Sequence, residues 1–109
     1  MFAIADLLST SGLGRFKDAT DHYEQSLSIR IKTDDKAAQS ECYKSLGTAY
    51  IRMDGTMKAI ESFEKSLEIQ KELSNDKGVV DALISLGLAH FKAGDNQASV
   101  NKLEQALEL

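Results

Sequence analysis

Three stretches of this chain spell nearly the same phrase: Tyr23-Glu24-Gln25-Ser26-Leu27-Ser28-Ile29, Phe63-Glu64-Lys65-Ser66-Leu67-Glu68-Ile69 and Leu103-Glu104-Gln105-Ala106-Leu107-Glu108-Leu109. They begin 40 positions apart. An aromatic residue or Leu opens each copy, Glu follows, a small residue stands three places on, and Leu with an aliphatic residue closes it. Apolar residues recurring at three- and four-residue steps mark an amphipathic helix. A fixed period of this size marks a stacked-repeat protein, in which each unit buries its hydrophobic face only against its neighbours. The expected fold is therefore all-α. The repetition also accounts for most of the apolar pattern, which points away from catalysis.

Working outward from the phrase, six helical segments, or three antiparallel pairs, can be read. The first covers Phe2 to Thr10 and ends at Ser11-Gly12-Leu13-Gly14. The second runs from Arg15 to Lys32, with Phe16, Ala19, Tyr23, Leu27 and Ile31 in register. Thr33-Asp34-Asp35 ends it and offers capping oxygens to a third helix reaching Met53. Asp54-Gly55-Thr56 is a turn, and the fourth helix spans Met57 to Leu73. Ser74-Asn75-Asp76 repeats the capped turn before a fifth helix from Lys77 to Lys92. Ala93-Gly94-Asp95 precedes a sixth helix from Asn96 to the end. The whole chain contains no proline, which suits long helices joined by short turns.

Gly47 and Gly87 fall inside helical patterns, again 40 apart. A mid-helix glycine costs about 1 kcal/mol relative to alanine. Its recurrence implies close helix approach, with the small residues Ala59, Ser99, Ser66 and Ala106 as the expected partners.

Composition narrows the function. A chain of 109 residues, 42% hydrophobic and 28% charged, can bury one domain's core. A net charge of −4 and the lack of a basic stripe speak against nucleic acid. No apolar run is long enough to span a membrane. Cys42 is the only cysteine, so no internal disulfide forms, and a reducing cytoplasmic setting is expected. His22, His90 and Cys42 lack metal-ligand spacing, and no nucleophile-elbow, P-loop, zincin or dinucleotide motif is present. No cofactor, metal or catalytic residue is expected.

These residues resemble the tetratricopeptide repeat, whose pattern is W-x2-L-G-x2-Y followed by A-x3-F. The second unit reads Tyr43-x2-Leu46-Gly47-x2-Tyr50, then Ala59-x3-Phe63. The third reads Leu83-x2-Leu86-Gly87-x2-His90, then Ser99-x3-Leu103. The first keeps Ala19 and Tyr23, but Asp6 and Leu7 stand where Leu and Gly belong. Either a one-residue deletion shifts that register or the helix is an irregular terminus. The period is 40 rather than the usual 34 or so, and the extra residues fall where the family's proline would end the second helix. Long-period arrays of this kind are similar to the polarity-adaptor, kinesin light chain and rapsyn-like branches.

The resemblance implies an α-α superhelix (a right-handed solenoid) of three helix pairs, with repeats at about 1–35, 36–75 and 76–109. It implies a concave groove, lined by the first helix of each pair, that takes a peptide or helix from a protein partner. By register the groove presents Glu41, Lys44, Thr48, Ile51 and Arg52 from one helix and Asp81, Ile84, Leu88, Phe91 and Lys92 from another, with Ile4, Leu8 and Ser11 from the first. Ile84, Leu88 and Phe91 form a stripe offset from the core positions. It is either a wide core face covered by a neighbour or an apolar partner patch. The chaperone-tail clamp of the family is mostly missing: Lys44 fits it, but Thr48 and Leu88 stand where asparagine is needed. Ser45, Thr48, Ser85 and Leu88 likewise depart from the asparagines with which polarity adaptors hold a peptide.

The last helix carries no polar capping unit after Leu103, Leu107 and Leu109. The chain is read either as a fragment of a longer array or as one whose open ends pair with another copy. The function expected is a non-catalytic adaptor or scaffold; the alternative is a module that self-assembles through its open ends.

Overall fold

The computed structural model describes residues 13–109, with side chains from Lys17 onward. The expected helix at 2–10, its register, and the groove residues Ile4, Leu8 and Ser11 lie outside the described residues. Among the described residues there are five helices and no strand: α1 (Leu13–Lys32), α2 (Lys36–Arg52), α3 (Thr56–Glu72), α4 (Asp76–Lys92) and α5 (Asn96–Leu107). Each packs against the next in an antiparallel zigzag.

The 40-residue period divides evenly. α2, α3 and α4 are each 17 residues long and are separated by three-residue turns. In the pair formed by α2 and α3 the second helix is therefore as long as the first, not longer. The turns share one construction every 20 residues: Asp34, Asp54, Ser74 and Gly94 all have positive φ, at 54°, 60°, 53° and 86°. In each, the next residue's N–H reaches five residues back, as in Asp35 to the Arg30 carbonyl at 3.0 Å and Asn75 to the Gln70 carbonyl at 3.1 Å. This is the Schellman closure, which satisfies carbonyls orphaned at a helix end. The same residue then caps the following helix. Asp35, Asn75 and Asp95 accept from Ala38, Gly78 and Ala98 N–H at 3.1, 3.2 and 3.1 Å. Gly55 fills this place without a side-chain cap.

The main core gathers Ala59, Ile60, Phe63 and Leu67 of α3 against Val79, Ala82, Leu83, Leu86 and Ala89 of α4. A second cluster joins Ala19 and Tyr23 of α1 to Leu46 of α2. Ala19 and Tyr23 are buried and Leu27 half-buried, but Ile31 is 53% exposed. Its expected place in the buried register fails for a geometric reason. Each four-residue step rotates about 40° around the helix, so three steps carry the side chain off the core face.

Both interior glycines sit at tight crossings. A Cβ on Gly47 would stand 2.5 Å from Cε1 of Phe63, and one on Gly87 would stand 2.8 Å from Cδ2 of Leu103. The expected small-on-small contact is thus only part of the packing: an aromatic ring or a leucine end lies directly on the glycine. Ser99 joins in at Gly87, where its backbone carbonyl oxygen would be 3.4 Å from that Cβ.

Ion pairs join Lys36 to Glu72 at 3.9 Å and Lys92 to Asp54 at 3.7 Å. Lys65 and Lys58 lie 5.8 and 5.7 Å from the ring centroids of Tyr43 and Tyr50.

Candidate functional site

Helix register divides α2 into two nearly opposite faces. Tyr43, Leu46 and Tyr50 point toward α1 and α3, where Tyr50 Oη donates to Glu24 at 2.9 Å. About 170° around the helix lie Glu41, Lys44, Thr48 and Arg52, all exposed. α4 repeats this division. Leu83 and Leu86 go into the core, while Asp81, Ile84, Leu88 and Phe91 face outward.

The outward faces of α2 and α4 adjoin. Lys92 Nζ donates to the Ile51 carbonyl at 2.7 Å, reaching across 41 residues of sequence. The same ammonium lies 3.7 Å from Asp54 Oδ1. Two of the sequence-predicted groove residues, Ile51 and Lys92, are thereby brought into contact. Ile51 is half-buried and packs on the main core, and Lys92 straps the two helices together at their C-terminal ends. Thr48 directs its hydroxyl to the Lys44 carbonyl of its own helix at 3.1 Å.

The two walls differ in chemistry. α2 contributes charged and hydroxyl groups. α4 contributes Ile84, Leu88 and Phe91, exposed by 40%, 59% and 66%. Spaced four and then three residues apart, they form one continuous apolar stripe along the helix.

Near the N-terminal ends of α2 and α4 lies a cavity of about 30 Å³ lined by Ser40, Lys44, Ser66, Gln70, Gly78, Asp81 and Ser85, among others. Lys44 and Asp81 were expected at the groove; the polar floor beneath them was not. One sequence signal marks it: the helix position held by Ala38 and Ala98 is a glycine at 78.

Cys42 is fully buried, and burial pushes its thiol up while the Ser26 hydroxyl opposes the shift. A nucleophilic cysteine needs the reverse environment. Burial, followed by the Glu24 carboxylate, pushes the Tyr50 phenol up to about 12. Among the described residues no cluster of His, Cys, Asp and Glu is arranged to hold a metal, and no helix is long and apolar enough to cross a membrane.

The tetratricopeptide repeat family model matches residues 4–72 and 48–109. The crystal structure of the TPR domain of Arabidopsis FLU superposes with a TM-score of 0.80, covering 95% of each chain at 17% identity. At that identity the likeness speaks for the fold alone. No curated protein matches the chain. The paired 17-residue helices, the L-G contacts with the following helix and the family match over nearly the full length lead to one assignment: the chain belongs to the tetratricopeptide repeat family.

Proposed function

We propose that this chain is a non-catalytic adaptor or scaffold module whose concave groove holds a peptide or helix of a protein partner. The partner surface comprises Lys44, Thr48, Ile51 and Arg52 on α2 with Asp81, Ile84, Leu88, Phe91 and Lys92 on α4. The observation that carries this reading is the exposed stripe of Ile84, Leu88 and Phe91 beside a core that already holds Leu83 and Leu86 fully covered. Three large apolar side chains aligned on one helix face are the pattern by which a groove takes an amphipathic segment. Lys92 and Ile51 contribute by holding the walls at a fixed spacing. The family supports protein recognition in general terms; the particular groove is our reading. Its test compares partner capture by the native chain and by the Ile84→Ala/Leu88→Ala/Phe91→Ala variant in extracts of the source cell. Loss of the captured protein with unchanged thermal stability supports the groove, and undiminished capture sinks it.

A second reading rests on α5. Val100 and Leu107 are 53% and 86% exposed there, and Leu109 just beyond is 63% exposed. In this reading the chain self-assembles through that surface. Light scattering over a concentration series separates the two: a mass that stays monomeric excludes self-assembly.

A further inference from the structure

The cavity between α2, α3 and α4 contains a hydrogen-bond chain with one end left open. Gln70 Nε2 donates to Ser40 Oγ at 2.7 Å. Ser40 Oγ lies 2.9 Å from Ser66 Oγ, so its own proton can go on to Ser66. Gln70 Oε1 has no partner, although the residue is only 9% exposed. The Gly78 N–H is already held by Asn75 Oδ1 at 3.2 Å. A Cβ at Gly78 would overlap the Gln70 amide oxygen, so the glycine leaves room for that side chain as it stands.

Helix packing does not require this set. At the corresponding positions 40 residues away stand Arg30 for Gln70, Ala38 for Gly78 and Val80 for Ser40, while Ser66 is matched by Ser26 on one side and by Ala106 on the other. A buried acceptor without a donor is unfavourable, and the cavity's 30 Å³ exceeds the minimum a single water needs. Its polar lining residues Glu41, Lys44, Asp81 and Ser85 belong to α2 and α4, the two helices that carry the proposed groove residues.

We infer that this cavity is a donor-selective slot in the floor of the groove, which takes one O–H or N–H group at Gln70 Oε1. In the free protein the group is a water. In the bound state it is a hydroxyl or primary amide at the tip of a partner side chain, which displaces that water. This second half rests on the concave-groove reading above, whereas the slot itself does not. The slot would give the groove a polar specificity point at one end, complementing the apolar stripe of α4.

The test is an NMR titration of the ¹⁵N-labelled chain with acetamide, which donates N–H, and with acetone, which has the same shape and only accepts. Acetamide is expected to shift the Gln70 side-chain amide and the Gly78 backbone amide in a saturable manner, with acetone several-fold weaker. Gln70→Met keeps the length of the side chain and removes the acceptor, so the acetamide response at Gly78 and Asp81 should vanish. Equal responses to the two solvents, or an acetamide response that survives Gln70→Met, would overturn the inference. If Gln70→Met fails to fold, the wild-type solvent comparison still decides. Neither arm involves a partner protein. A failed groove therefore leaves the acetamide response intact, and a failed slot leaves capture through Ile84, Leu88 and Phe91 intact.

Discussion

The Phe63 ring lies on the α-carbon of Gly47, with Cε1 only 2.5 Å from where a Cβ would be. Alanine would favour the helix by about 1 kcal/mol on propensity alone. Phe63 is 3% exposed and cannot swing away, so the clash should outweigh that gain. Gly47→Ala is expected to destabilise by about 1–3 kcal/mol in urea denaturation, and Gly47→Leu by at least as much. Gly87→Ala should cost less, because the obstacle there is the end of the flexible, half-buried Leu103 side chain. Equal losses at the two sites would contradict this difference in packing.

Ser74 holds φ at 53°, a region that side chains other than Asn and Asp rarely enter. Ser74→Gly is therefore expected to stabilise the fold by about 0.5–1 kcal/mol despite the added freedom of the unfolded chain. Gly94, at φ 86°, should show the opposite sign when changed to alanine. Melting temperatures of the two variants check the pair: a lowered value for Ser74→Gly would show that the serine side chain has another role in its turn.

The phenol of Tyr50 is pushed up to about 12 from an ordinary value of 10.0. A raised folded-state value means that the folded protein holds the proton more tightly than the unfolded chain. The resulting stability is complete below pH 10 and drains away as the pH climbs toward 12. Tyr50→Phe removes this titration together with the bond to Glu24. The variant's denaturation midpoint should fall less steeply between pH 9 and 11.5 (roughly the range set by that shift) than that of the parent. Parallel slopes would remove Tyr50 from the alkaline transition.

Cys42 is fully buried with its thiol pushed up by burial, so an aromatic disulfide reagent should label it only when the chain opens. Labelling is expected to be slow at pH 8 in buffer and fast in denaturing urea. Rapid labelling of the native protein would mean that α2 opens locally around this residue.

Much of the helical layout could be read from the chain because it repeats. Residues such as Leu83, Leu86 and Ala59 recur in phase with the period and occupy the core. The turns were legible from Asp34, Asp35, Asn75 and Gly94, whose chemistry is local. Other features depend on distance and angle rather than on neighbours in sequence. The Lys92–Ile51 strap joins residues 41 apart, and nothing near either one announces it. The Ser40–Gln70 bond spans 30 residues and breaks the repetition instead of following it. Ile31 looked like core because four-residue spacing approximates a helical turn, and the accumulated rotation exposes it. The groove positions on α4 were legible as a stripe, while the polar floor beneath them was hidden.

Whether the Ile84–Leu88–Phe91 face meets a protein partner is tested by site-specific photo-crosslinking in the source cell. A benzophenone amino acid is placed at Phe91 and, as a control, at the exposed Ile29 of α1. A discrete adduct of one heavier species is expected from position 91 and none of that size from position 29. The absence of any adduct at 91, or the same adduct from both positions, would contradict it.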